Sequence, residues 1–393
     1  MKFCNAKLFW KLMLASGLVA GSLAVQAQPI KVGWLSSLTG PLSASAIAEN
    51  QGVELAVEEI NAAGGILGRK IELLTRDTAG DPTKAVNFAQ QLAFSDKVNF
   101  VIGPVNSGEG LATTPMLARA GVPNIIIGAI DELTDAKKYP RAFRMINTNM
   151  QWILTANKYA IETLKKQKIA VIADTSGYGT ASAKSAIALL EKAGIKPVYS
   201  VLIDANKTDV MDEMTKARNA GADVVMPWTA AAGLLGRLIN ARGEMGWDVP
   251  IVGHPALMAA QIRKLLNKPE YWDKTYAAGY TSTTYLPDGK LPAPTQVLVD
   301  KIRPRIGGGE IDITFWWVAL GYDTVKMIEH AVKKAGSTDP AAIQKAMEET
   351  ANYPGVYATY TYSATQRDGF PDSGMVMNTA NTFKDGSFKL APN

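Results

Sequence analysis

Twice along this chain, short apolar runs alternate with helix-patterned stretches, and this alternation limits the fold more than any other feature. In the first round, residues 30–35 read as a buried strand, 49–63 as an amphipathic helix and 71–77 as a second strand. Asp81-Pro82 supplies an N-cap followed by proline at the first helical position, opening a helix to about Phe94. Strands at 100–102 and 124–127 follow, with a helix over about 109–119 between them. The second round repeats the pattern. Strands are expected at 169–173, 197–203, 224–226, 251–252 and 276–281, and helices at 150–164, 179–193, 209–220, 231–245 and 256–266. Further helices are expected near 295–306, 315–335 and 340–350, before a strand-like tail from Tyr357. Strands separated by helices imply right-handed crossovers, so the expected fold is α/β with two doubly wound parallel-sheet lobes.

The segment before residue 28 has a different character. Lys2, Lys7 and Lys11 precede an apolar run over 12–25, which ends in Val25-Gln26-Ala27, the pattern of a cleaved secretory signal. Its removal takes away three lysines and the only cysteine, Cys4, so the formal charge falls from +5 to +2. A chain so nearly neutral gives no case for nucleic-acid binding. About 366 residues remain, too many for one core and enough to do without disulfides.

The stretch with the most chemistry is Gly103-Pro104-Val105-Asn106-Ser107-Gly108-Glu109-Gly110. It leads from a strand into a helix, with Ser107 where an N-cap is wanted. Unpaired N–H groups and the positive end of the helix dipole make such a turn a cradle for an anion. The competing reading is that Ser107 only caps its own helix. Neither His254 nor His330 has a metal-ligand spacing, and no metal or cofactor is expected. An enzyme on this architecture would want a GxSxG elbow, a GxGxxG after the first strand, a P-loop or an HExxH, and the sequence contains none of them.

Several motifs together resemble the branched-chain amino-acid-type binding proteins, the exported receptors of ABC importers. They are Ile30-Lys31-Val32-Gly33, Leu38-Thr39-Gly40-Pro41, Gly52-Val53-Glu54-Leu55-Ala56 and the run from Glu59 to Gly68. Asp77, Asp81-Pro82, Ala85, Gly103-Pro104 and Asp174-Thr175-Ser176-Gly177-Tyr178-Gly179 continue the likeness over nearly the whole chain after residue 28.

The resemblance implies the type I periplasmic binding fold: two lobes joined by a three-strand hinge, with a ligand enclosed between them by hinge closure. Residues 28–147 plus 283–354 would form lobe 1, and residues 148–282 plus 355–393 lobe 2. The implied crossings lie near 147–149, 282–285 and 353–357. By the same resemblance Ser107 would bind a ligand carboxylate, Gly128 would offer a backbone contact and Tyr178 would close over the ligand.

Two positions depart from the amino-acid receptors. Ile130 stands where a threonine helps hold the α-amino group, and His254-Pro255 where an acid pairs with it. A buried ammonium without an acceptor costs several kcal/mol, so the expected ligand is a carboxylic acid without an amino group, aromatic acids first. Asp131 or Glu132 could instead supply the missing acid. Trp228 is either cleft wall or core, His254 either a hydrogen-bond donor or structural, and Trp316-Trp317 are expected in helix core. The implied partner is an ABC permease in the inner membrane and the protein a monomer. The alternatives are a branched-chain or other amino acid or an amide as the ligand of the same fold, or a free ligand sensor.

Overall fold

The structure, a computed structural model, describes residues 28–392; the expected signal segment lies outside the described residues. Strands β1 (Ile30–Ser36), β2 (Ile71–Asp77), β3 (Phe100–Ile102), β4 (Asn124–Ile126) and β5 (Ala142–Arg144) form one sheet in the order β2-β1-β3-β4-β5. Every pair in it is parallel. Helices α1 (Ser43–Ala62), α2 (Pro82–Gln90) and α3 (Ser107–Ala120) make the first three crossovers. As expected, Asp81 caps α2, accepting from the N–H groups of Thr83 and Lys84.

Helix α4 (Asn149–Lys158) leads into the second sheet and opens on a capping box between Thr148 and Gln151. That sheet contains β6 (Ile169–Asp174), β7 (Tyr199–Ile203), β8 (Val224–Trp228), β9 (Ile251–Gly253) and β10 (Thr275–Tyr280), all parallel to their neighbours. Between them run α5 (Gly177–Lys192), α6 (Met211–Asn219), α7 (Ala232–Glu244) and the short α8 (Ile262–Leu265). All six residues of β6 are buried, which is why it reads as a continuous apolar run: helices cover both faces.

The chain then returns to the first sheet. Helix α9 (Ala293–Ile302) precedes α10 (Phe315–Ala335), which packs along α1, and α11 (Pro340–Glu348) follows. Two-residue strands β11 (Tyr353–Pro354) and β12 (Thr359–Tyr360) form a small ribbon. Arg144 of β5 then pairs with Asp368, so this stretch still lies beside the first sheet. Only afterwards do β13 (Met375–Lys384) and β14 (Ser387–Leu390) join the second sheet, antiparallel, at the β10 edge. The second sheet is therefore parallel except at that edge.

Three local expectations differ from what is found. Helix α1 begins at Ser43, well before the expected residue 49, because its first turns are small residues without an amphipathic pattern. The helix expected over 256–266 is broken: a tight turn at Pro255–Met258 ends at Ala259, which is extended (φ −61°, ψ 122°), before α8 starts. Strand β5 was not expected, being three residues long and ending in a charge.

Candidate functional site

In parallel sheets the carboxyl ends of the strands share one edge, and loops there build sites. Ser107 follows β3, residues 128–130 follow β4, Tyr178 follows β6, Ala230 follows β8 and His254 follows β9. These loops meet around a small cavity that is partly open to solvent.

The first wall is the start of α3. Asn106, not Ser107, caps this helix: its Oδ1 accepts from the Gly108 N–H at 2.7 Å. That frees Ser107, which is only 2% exposed, for a different task. Its Oγ accepts from the N–H groups of Ala129 (3.0 Å) and Ile130 (3.3 Å) on the neighbouring strand end. A hydroxyl has two acceptor lone pairs and one hydrogen, so with both acceptors engaged the hydrogen remains to be donated. Gly128 permits this approach, since a Cβ there would lie 3.2 Å from the Ser107 Cα and 3.3 Å from its Oγ.

The opposite wall is aromatic. Ser176 caps α5, accepting from the Gly179 N–H at 3.1 Å, and Asp174 in turn accepts from the Ser176 N–H and from the hydroxyls of Ser176 and Thr229. The first turn of α5 is thus held rigidly, with Tyr178 on it. The Tyr178 hydroxyl is buried beside Ser182, whose own hydroxyl donates to Asn149. Burial pushes the Tyr178 ionisation well above the usual phenol range.

His254 accepts the Ala256 N–H on Nδ1 at 3.0 Å, which leaves the proton of the neutral ring on Nε2. Burial lowers its pKa to about 3, so the ring is neutral at physiological pH. Trp152, in the first turn of α4, stands edge-on to His254 (centroids 4.8 Å apart) and to Tyr178 (6.2 Å), while Tyr178 and His254 are 5.1 Å apart. Trp317 closes the cavity from α10, stacked on Trp316 at 4.1 Å.

Of the residues singled out in the sequence, Ser107, Tyr178 and His254 line the cavity. Gly128, Ile130 and Trp228 do not. Gly128 sits behind Ser107, and Ile130 is core, reaching the site only through its N–H. Trp228 is fully buried at the end of β8, behind the lining residue Ala230, with its indole N–H unpartnered. Asp131 and Glu132 are exposed and outside the cavity.

Trp317, expected in helix core, is a wall residue, and Trp152, Ser45 and Asn106 line the cavity as well. Trp152 could have been found, since an aromatic one turn after a Thr148/Gln151 capping box at a strand-to-helix junction faces the same edge as the loops. Nothing in the pattern separates Trp317 from Trp316. Among the described residues no Asp or Glu lines the cavity, and no cluster of His, Cys, Asp or Glu could hold a metal ion. Nor is any described helix long and apolar enough to cross a membrane.

Comparison with known proteins gives a consistent picture. The chain is 30% identical to Leu/Ile/Val-binding protein homolog 3 of Brucella melitensis, over 86% of this chain and 88% of that one. It superposes on the branched-chain amino acid transporter substrate binding protein LivJ of Streptococcus pneumoniae, solved with isoleucine, with a TM-score of 0.79. That match has 25% identity and covers 92% of this chain and 99% of the other. A solute binding protein of an ABC transporter from Rhodopseudomonas palustris, solved with 3,4-dihydroxybenzoic acid, shares the fold (TM-score 0.75, 19% identity, 92% and 95% covered). Proteins of this kind are solute-binding components of ABC transporters and not enzymes. The profile of the periplasmic binding protein family matches residues 29–386, and the chain belongs to that family.

Proposed function

We propose that the cavity takes a small carboxylic acid lacking an α-amino group, aromatic acids first, for delivery to an ABC permease of the inner membrane. The observation that carries this reading is the pairing of one anion-seeking end with walls that hold no acid. At one end the Ser107 hydroxyl, its acceptors engaged by Ala129 and Ile130, has a hydrogen to give at a helix N-terminus. The rest of the wall is Trp152, Tyr178, neutral His254 and Trp317, with no carboxylate to receive an ammonium. Charge-assisted hydrogen bonds favour the anion between these largely apolar walls, while an ammonium buried there without a partner costs several kcal/mol. The Tyr178 hydroxyl and the His254 Nε2–H are candidates to read a ring substituent. An α-amino acid, which the relatives' names specify, is the competing ligand.

The proposal includes export to the periplasm on removal of residues 1–27, a monomeric state and closure of two lobes on the ligand. Lobe 1 is taken as residues 28–147 plus 283 onward, and lobe 2 as 148–282 plus the C-terminal strands. The Arg144–Asp368 pairing argues for a third crossing near 370–375, beyond the 353–357 that the family resemblance implies.

A thermal-shift screen of residues 28–393 tests the reading. Ligand at 100 times its Kd stabilises by about 2.7 kcal/mol through mass action. Acids such as benzoate, 4-hydroxybenzoate, phenylacetate and 4-methylpentanoate should raise the Tm, and amino acids should leave it unchanged. A larger shift with leucine, isoleucine or valine than with any acid would overturn it.

A further inference from the structure

Arg144 ends β5 with its side chain wholly buried, and it was not singled out in the sequence. Its two terminal nitrogens are hydrogen-bonded, while Nε pairs with Asp368 by charge without hydrogen-bond geometry. Nη1 donates to the Ala129 carbonyl, and Nη2 donates to the Ile130 carbonyl (2.5 Å) and to Thr134 Oγ1 (3.0 Å). Nε lies 3.0 Å from Asp368 Oδ1, and Asp131 is 4.0 Å from Nη1. Thr134 donates in turn to Asp368, so the two counter-charges and the hydroxyl form one group around the cation. Both acids are partly exposed, so water screens them more than it screens the buried cation.

The Ala129 carbonyl belongs to the same peptide as the Ile130 N–H, which donates to Ser107 Oγ. A cation on the carbonyl side polarises that peptide and strengthens donation from its N–H side. The order is then Arg144, the 129–130 peptide, the Ser107 hydroxyl and the cavity.

We propose that Arg144 is a positioning residue for the anion end of the cavity, fixing and polarising the peptide that holds the Ser107 hydroxyl, and that Asp368 sets how much of its charge a bound carboxylate feels. This rests on the carboxylate reading above. It adds a fixed positive charge behind the site that no lining residue supplies. Asp368→Asn is the informative change. The amide keeps the size of the side chain and an acceptor for Thr134 and Arg144, while the compensating negative charge is gone.

The experiment measures Kd by calorimetry for benzoate, 4-hydroxybenzoate, phenylacetate and 4-methylpentanoate, each beside its methyl ester, and follows the tightest pair. The readout is the ratio of ester to acid Kd, which a purely structural role would not move because both ligands would suffer alike. In Asp368→Asn the ratio should rise about threefold to tenfold, the size of one charge removed from a partly screened site. Arg144→Lys keeps the charge but loses the planar fork that holds the Ala129 and Ile130 carbonyls, so its ratio should fall by a few-fold with the ester's own Kd nearly unchanged. Should Arg144→Lys fail to fold, Asp368→Asn alone decides. A wild-type preference for the acid with an Asp368→Asn ratio within twofold of wild type overturns the role of Arg144 alone. If no acid in the panel binds wild type better than its ester, the carboxylate reading and this inference both fail.

Discussion

Gly108 and Gly177 lie against each other, in the first turns of α3 and α5, two helices that follow strands of different sheets. A Cβ built on Gly177 would fall 2.9 Å from the Gly108 Cα. Neither glycine has a positive φ, so it is the close approach and not the backbone conformation that excludes a side chain here. Two helix N-termini, those of α3 and α5, therefore meet beside the Ser107 hydroxyl.

If this contact marks the closed form, Gly177→Val should hold the lobes apart while leaving each intact. The Tm without ligand should change little, and affinity for the best ligand should fall by at least about tenfold, or 1.4 kcal/mol. Small-angle scattering at saturating ligand should show a larger radius of gyration than wild type. Equal radii and equal affinity would remove the contact from the account.

A second relationship joins three distant parts of the chain. Asn147 Oδ1 accepts from the hydroxyls of Tyr280 (3.2 Å) and Tyr357 (3.1 Å), and Tyr280 accepts from the Trp152 indole at 3.0 Å. All of these groups are buried. Tyr357→Phe should cost about 1 kcal/mol, one neutral hydrogen bond, whereas Asn147→Ala strands two buried phenols and should cost about 2–5 kcal/mol. Urea unfolding of the two variants checks the ordering, and a Tyr357→Phe loss as large as that of Asn147→Ala would contradict it.

Stability should fall on both sides of a pH optimum. His254, neutral and with its pKa lowered to about 3, takes up its proton in the unfolded chain near pH 6.5 but in the native state only near pH 3. Stability is therefore full above about 6.5 and is lost at up to about 1.4 kcal/mol per pH unit as pH falls toward 3. Glu49 has the opposite sign. Both its carboxylate oxygens are buried without a partner beside Gly321, and burial raises its pKa well above the carboxylate range. Its contribution is lost as pH rises past the unfolded value. Glu49→Gln should flatten the alkaline limb, and His254→Gln the acid limb. Unfolding free energies from pH 4 to 9 test both, and an unchanged slope in either variant would contradict the assignment.

Much of this was legible in the residues themselves. Strands such as β6 are continuous apolar runs because helices cover both faces, and Asp81-Pro82 marks a helix start by its chemistry. Small residues hid the beginning of α1, and a short charged strand hid β5. At the site, the turn at Gly103–Gly110 was legible as a strand-to-helix junction. The division of labour within it was not, because Asn106 and Ser107 are both good caps and only their backbone angles decide which one serves. The family resemblance puts Ile130 in the cleft, and the sequence leaves Trp228 as either cleft wall or core; burial makes both core residues outside the lining. Arg144 acts from behind through carbonyl groups, and a one-dimensional pattern carries no trace of that.

Ser107→Ala should weaken carboxylate binding by about 1.5–3 kcal/mol, one to two decades in Kd, by deleting a charge-assisted hydrogen bond. It also leaves the Ala129 and Ile130 N–H groups without their acceptor. Calorimetry with the acid and with its methyl ester separates these effects, since the ester should lose much less. An equal loss for both would assign Ser107 a structural role only.

The central claim is that the cavity accepts a carboxylate and rejects an ammonium beside it. The most direct measurement is wild-type calorimetry on matched pairs: 4-methylpentanoate against leucine, and 3-phenylpropanoate against phenylalanine. With no carboxylate in the lining, the α-amino group should cost each pair at least about tenfold in Kd. Leucine or phenylalanine binding more tightly than its deaminated partner would contradict the account.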